Sequence, residues 1–126
     1  MLRTTLALVV LTTFPVGTSS AQQRQLTDAE KKIITSTYGS RLKDPLSAQY
    51  RWPNLTKPQA DAPDYCFQVN AKNSYGGYVG FQTVLGSVTQ RNGAIVGYHY
   101  KMGAEGSSMM NDTATEFCAI AGYKFQ

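Results

Sequence analysis

The sequence predicts a small α+β domain in which an N-terminal amphipathic helix packs on an antiparallel β meander held by one disulfide bond. Three observations lead to this prediction: an apolar helical stripe behind a capping signal, alternating apolar residues around an Asn-Gly turn, and a pair of cysteines. The 126 residues are enough for one domain with a single core. The 42% hydrophobic and 16% charged residues are typical of a folded chain rather than a disordered one.

The first segment, residues 1–21, has the features of an export signal that precedes a single domain at residues 22–126. Its apolar run from Leu6 to Phe14 is far shorter than a membrane-spanning helix. Pro15 breaks any helix, and small residues lead to a cleavage site after Ala21. An uncleaved anchor is the alternative, which the short run disfavours. We therefore expect a periplasmic or secreted protein with no transmembrane segment once the signal is removed.

The helix is predicted from Asp28 to Lys43. Thr27 and Glu30 have the spacing of a capping box, in which each side chain bonds the other residue's backbone N–H. Pro45 ends the helix because the residue before a proline is pushed out of the α region. The apolar stripe behind the box consists of Ala29, Ile33, Ile34, Tyr38 and Leu42.

The strands are predicted from alternation and turn chemistry. A short extended segment covers Ser47 to Trp52, and alternation continues from Tyr65 to Ala71. Asn92-Gly93 is a strong hairpin signal that pairs Arg91 with Ala94. If the register continues without interruption from that turn, one face of the hairpin is apolar. We expect the predicted N-terminal helix to cover this face. That face carries Phe81, Leu85, Val96, Tyr98, Tyr100 and Met102, while His99, Val84, Ile95 and Lys101 lie on the other.

A first hairpin turns through Asn73 to Gly77 and brings its own apolar residues to the same face. This pairing puts Val69 opposite Phe81 and Tyr65 opposite Leu85. The agreement of the two hairpins predicts an antiparallel meander of three or four strands.

The C-terminal stretch, residues 112–125, fits both a helix and a strand. A helix from Asp112 to Ala121 is favoured because Asn111 or Asp112 is a suitable cap and Gly122 a suitable stop. A strand is the alternative, because the alternation places Cys66 on the face of the sheet opposite the main apolar one. A bond to Cys118 then requires the C-terminal stretch to reach the second face or an edge of the sheet.

Cys66 and Cys118 are the only cysteines, and an even pair in an oxidising compartment predicts a disulfide bond. A closed loop of about 50 residues stabilises the fold by about 4 kcal/mol in the chain-entropy model. The alternative makes Cys66 a nucleophile with His99 as its base, in a thiol or amide hydrolase.

The most distinctive run extends from Cys66 to Phe81 and reads C-F-Q-V-N-A-K-N-S-Y-G-G-Y-V-G-F. It resembles a motif of small exported or envelope-associated bacterial proteins of unassigned function, which often also carry a segment like residues 43–50. Phe67 stands where that family often has glycine. The resemblance implies a fold and no mechanism. The candidate binding loop taken from this run comprises Asn70, Lys72, Asn73, Tyr75, Gly76, Gly77 and Tyr78.

The composition disfavours most kinds of catalytic, metal-binding and nucleic-acid-binding site. One histidine excludes a multi-histidine metal site, and two cysteines exclude a zinc ribbon carried by this chain alone. No Gly-x-Ser-x-Gly run is present, and a net charge of +4 without a basic stripe argues against nucleic-acid binding. We expect no metal, no cofactor and no enzymatic activity.

The predicted function is therefore that of an exported, non-enzymatic binding module of the bacterial envelope, acting through the 72–78 loop. Its partner is expected to be another envelope or secreted protein, with a glycan as the alternative. An inhibitor of a lysozyme or protease is the second functional hypothesis. Turn chemistry alone also accounts for the asparagines and glycines, so a purely structural loop stays open at this point.

Overall fold

The computed structural model describes residues 10–14, 22–104 and 108–125 of the chain. Within them the chain is an α+β domain with a four-stranded antiparallel sheet, which confirms the predicted fold class. The predicted export signal lies outside the described residues except for residues 10–14. None of the helices in the described ranges has the length and apolar character needed to cross a membrane.

The sheet has the order β1-β2-β3-β4, so every neighbouring pair is consecutive in the chain. A helix packs on each face: α1 contacts β4, whereas α2 contacts β3 and β4. We call the face that carries Phe67 the α1 face and the face that carries Cys66 the α2 face. The elements are α1 (Asp28–Tyr38), β1 (Gln49–Arg51), β2 (Asp64–Asn70), β3 (Gln82–Arg91), β4 (Ala94–Gly103) and α2 (Ser108–Ile120).

The helix α1 begins at the predicted capping box, but it ends earlier than Lys43. Thr27 Oγ1 accepts from the Glu30 N–H at 3.2 Å, and the Glu30 carboxylate accepts from the Thr27 N–H at 2.9 Å. The α-helix stops at Tyr38 and continues as one 3₁₀ turn, Gly39–Arg41. The Thr-Ser-Thr run before Tyr38 bonds its hydroxyls back to helix carbonyls, which weakens the last turns.

The predicted register of the second hairpin is correct only near its turn. Arg91 pairs with Ala94, but β-bulges then shift the register twice, so Leu85 pairs with Met102 instead of Tyr100. Each bulge inserts one extra residue and turns the following side chains to the other face. Val96 is therefore 47% exposed and Ile95 is 2% exposed, the reverse of the prediction.

The first hairpin is also displaced by one residue from its predicted pairing. Tyr65 lies opposite Gly86 and Val69 lies opposite Gln82. A one-residue shift moves Leu85 to the α2 face, where it lies opposite Cys66, and leaves Val84 opposite Phe67 on the α1 face. The predicted single apolar face is wrong for these residues, because both faces of the sheet are covered and both are apolar.

The C-terminal stretch forms α2, and the strand alternative is wrong. The helix starts at Ser108 rather than near Asp112, so Asn111 lies inside it and accepts from the Thr83 N–H at 2.7 Å. The helix ends at Ile120, and the Tyr123 N–H closes it on the Cys118 carbonyl at 2.8 Å. Because α2 covers the second face, Cys118 reaches Cys66 without a fifth strand, and the predicted disulfide bond is confirmed.

Aromatic side chains dominate the α1 face. Phe67, which is fully buried, contacts Tyr38 of α1 edge to face with ring centroids 5.3 Å apart. Trp52 packs on the same ring at 5.2 Å. This cluster joins α1, the segment after β1 and the sheet into one packed core.

Candidate functional site

The loop between β2 and β3 is held in shape by one asparagine. Asn73 Oδ1 accepts from the Tyr75 N–H at 2.9 Å and from the Gly77 N–H at 3.2 Å. The Asn73 N–H donates to the Gly77 carbonyl at 2.9 Å. Gly76 has a φ of +80°, a conformation that L side chains rarely adopt. The predicted turn chemistry is therefore present, and it involves Asn73, Gly76 and Gly77.

Three further residues of the predicted loop attach it to neighbouring segments. Asn70 Oδ1 accepts from the Gly80 N–H at 3.0 Å, which fixes the return of the chain toward β3. The Tyr78 hydroxyl donates to the Ser47 carbonyl at 3.0 Å, and the Lys72 N–H donates to Ser47 Oγ at 2.9 Å. The upstream segment at residues 43–50 thus supports the loop directly.

Tyr75 is the exception among the predicted loop residues. Its side chain is 97% exposed at the tip of the loop and has no hydrogen bond within the described chain. Tyr78, at 46% exposure, contributes part of its ring to the same surface. The asparagines and glycines therefore shape the loop, whereas Tyr75 is displayed by it.

A groove lies between the turn that follows α1 and the 72–78 loop, and sequence reasoning missed it. Its volume is about 690 Å³, within the range of pockets that bind ligands. Three cationic side chains line it, Arg41, Lys43 and Lys72, and the described residues that line it include no Asp or Glu. We call this feature the basic groove. The full lining is Tyr38, Ser40, Arg41, Leu42, Lys43, Val69, Ala71, Lys72, Asn73, Ser74, Val79, Gln82 and Ala104.

The cations of the basic groove differ in how they are held. The Arg41 guanidinium lies 3.7 Å above the centroid of the Tyr100 ring, and Lys72 Nζ lies 5.6 Å from that of the Tyr78 ring. Such cation–π contacts orient the charged group over the ring. Within the described ranges, Lys43 and Lys72 make no ion pair.

The thiol chemistry weighed as an alternative is absent from this fold. Cys66 and Cys118 are fully buried and bonded to each other, with Cα atoms 6.0 Å apart. Cys66 therefore offers no thiolate, and the Cys66–His99 hydrolase hypothesis is wrong. His99 lies on β4 opposite Ser87 and is exposed. Among the described residues, no group of three His, Cys, Asp or Glu side chains is placed to hold a metal ion.

Among the described residues, the carboxylate with the strongly lowered pKa is that of Glu30, and its role is structural. Glu30 accepts two hydrogen bonds from the Arg24 guanidinium at 2.7 and 2.6 Å and one from the Ile95 N–H at 2.7 Å. The Arg24 hydrogen bonds, followed by those from backbone N–H groups, lower the pKa of Glu30 to about 2 against the opposing effect of burial. The residue ties α1 to the start of β4, a role that its place in the capping box reveals only in part.

Comparisons of the chain with protein families, with curated proteins and with solved structures find no match.

Proposed function

We propose that the protein is an exported, non-enzymatic binding module of the bacterial envelope, and that it contacts its partner through residues 72–78. The observation that carries the proposal is the display of Tyr75, 97% exposed, on a loop fixed by the Asn73 and Tyr78 hydrogen bonds. A tyrosine offers a large amphipathic contact area at a small cost in side-chain entropy. A loop that is already ordered loses little further entropy when it binds.

The cellular location is part of the proposal. The Cys66–Cys118 bond supports export, because disulfide bonds persist in oxidising compartments. The composition of residues 1–21 and the resemblance of residues 66–81 to small exported bacterial proteins support the same location. We therefore place the protein in the periplasm or outside the cell.

We also propose that the protein has no enzymatic role and that its partner is a protein. The basic groove holds amides, hydroxyls and cations but no histidine or carboxylate among its described lining residues. Side chains of this kind bind and orient a ligand, whereas proton transfer at neutral pH needs a group that titrates there. The partner is an envelope or secreted protein, and an envelope glycan is the alternative.

The experiment is an affinity capture from envelope extract with the wild-type protein and two single variants. Tyr75→Ala removes the displayed ring, and Phe117→Ala removes a ring that is 49% exposed on α2. The proposal expects one partner to be captured by the wild type and by Phe117→Ala and lost with Tyr75→Ala. The melting temperature of Tyr75→Ala should stay within about 2 °C of the wild type, because an exposed side chain contributes little to stability.

Equal capture by Tyr75→Ala and the wild type would contradict the proposal. A fall in the melting temperature of Tyr75→Ala by more than about 5 °C would indicate a structural loop instead.

Inhibition of a lysozyme or protease is the second candidate function. The feature that favours it is the fixed backbone of residues 73–77, since a preorganised loop that projects one side chain suits insertion into an enzyme cleft. A panel of envelope and secreted lysozymes and proteases tests this directly. Inhibition by the wild type that Tyr75→Ala abolishes supports it, and no inhibition across the panel excludes it for the enzymes tested.

A further inference from the structure

We infer that the basic groove binds an acidic peptide segment of the partner protein, with aspartate or glutamate carboxylates placed against Lys43 and Lys72. The inference rests on the proposed function, because Lys72 belongs both to the groove and to the loop. It adds the chemical class of the partner's binding segment, which the loop alone does not specify.

The charge of the groove is the first argument. Some cations of the described chain are paired with an acid: Arg24 bonds Glu30 at 2.6 Å, and Lys101 bonds Asp64 at 2.5 Å. Lys43 and Lys72 line a concave surface with no acid among its described lining residues. Like charges gathered on one concave surface raise the local potential and attract an anionic partner.

The walls of the groove favour a peptide over a free anion. Leu42, Ala71 and Val79 supply apolar contact area, and Val79 is 54% exposed. Inorganic phosphate would leave these walls in contact with water. A peptide with alternating carboxylate and apolar side chains would cover the walls and pair with the lysines at the same time.

The aromatic content of the groove disfavours a sugar. Tyr38 is the one aromatic ring among its described lining residues, and it is 1% exposed. Within that described lining, the flat apolar face of a sugar ring therefore finds no exposed aromatic ring on which to stack. Ser40, Asn73, Ser74 and Gln82 instead provide donors and acceptors that match the amides of a peptide backbone.

The test is a titration of the ¹⁵N-labelled full chain, followed by amide chemical shifts. The probe is the capped pentapeptide Glu-Leu-Glu-Leu-Glu, and its uncharged control is Gln-Leu-Gln-Leu-Gln. Inorganic phosphate and an oligogalacturonate form two further arms. We expect the acidic peptide to shift amides of the groove, above all those of Leu42, Lys43, Lys72 and Asn73. The uncharged peptide should bind at least about tenfold more weakly, and binding should weaken as salt is raised.

Charge reversal at the groove is the matched perturbation. Lys43→Glu together with Lys72→Glu should weaken binding of the acidic peptide by at least about tenfold, since two attractive pairs are lost and two repulsive ones are added. Lys57→Glu with Lys124→Glu, at exposed sites outside the groove, makes the same change in net charge and should leave the affinity within about threefold. The single variant Lys43→Glu repeats the test without altering the loop.

Three results would overturn the inference: unchanged affinity after charge reversal, shifts located away from the groove, or tighter binding of phosphate or oligogalacturonate than of the peptide. The capture experiment separates this inference from the proposed function. In one outcome, Tyr75→Ala loses the partner and the Lys43→Glu/Lys72→Glu variant keeps it. That result would support contact through the 72–78 loop and contradict binding of an acidic segment in the basic groove. If both variants keep the partner, both proposals are wrong.

Discussion

Replacing Glu30 by glutamine should lower the stability of the fold and reduce its dependence on pH. Hydrogen bonds from Arg24 and from the Thr27 and Ile95 N–H groups hold the pKa of Glu30 at about 2, against an ordinary value of 4.5. At 1.36 kcal/mol per pKa unit, this difference corresponds to about 3 kcal/mol of stability at neutral pH. Solvent reaches little of the carboxylate, since only 5% of its side chain is exposed, so screening reduces this figure only slightly.

The sign follows from the direction of the pKa shift. The pKa of the folded state is lowered, so the stabilisation is complete above pH 4.5 and is lost as the pH falls toward 2. The linkage relation gives a contribution of about 3 kcal/mol at pH 7 and about 1.5 kcal/mol at pH 3. Glutamine at position 30 does not titrate, so its deficit relative to the wild type should shrink over that range.

Urea unfolding at pH 7, 5, 4 and 3 measures this deficit for Glu30→Gln. The exposed Glu116→Gln variant on α2 is the control, and it should differ from the wild type by no more than about 0.5 kcal/mol. A deficit for Glu30→Gln that stays constant from pH 7 to pH 3 would contradict a lowered pKa of Glu30 in the folded state. So would a deficit below about 1 kcal/mol at pH 7.

Two further predictions concern the loop and the sheet. Asn73→Ala should speed hydrogen exchange of the Gly77 N–H roughly fivefold, because it removes a hydrogen bond worth about 1 kcal/mol, while exposed Ser74→Ala should leave that rate unchanged. Gly86→Ala should destabilise the fold by about 3 kcal/mol in urea unfolding, because its Cβ would clash with the Tyr98 ring and lie 2.6 Å from a backbone carbonyl oxygen. Gly97→Ala is the matched control, since its Cβ would make only ordinary contacts from 3.7 Å, and equal losses in the two variants would contradict the packing described.

The parts of the fold that local signals determine were predictable from sequence. The capping box at Thr27, the Asn92-Gly93 turn and the Cys66–Cys118 pair each depend on a few adjacent residues or on a count. The β-bulges next to Gly86 and Gln90 leave no such signal, because a register shift depends on what packs against each face. Because α1 covers one face of the sheet and α2 covers the other, both faces are apolar. Alternation of apolar and polar residues therefore does not show which side chains point to which face.

The candidate site was predictable in its residues and less so in their roles. The motif around Asn73 and Gly76 predicted a tight turn at this position. Only the structure separates the residues that shape the turn from Tyr75, whose side chain is exposed at the tip of the loop. The basic groove brings Lys43 and Lys72 together from segments far apart in sequence. No spacing rule joins such residues, so the groove could not be predicted.

Photo-crosslinking at position 75 tests directly whether the partner touches the 72–78 loop. A benzoylphenylalanine is placed at Tyr75 in one protein and at Phe117 in another, and both are irradiated in envelope extract. We expect one crosslinked partner of defined mass from position 75 and none of that mass from position 117. The same partner crosslinked equally from both positions, or from position 117 alone, would contradict binding through the 72–78 loop.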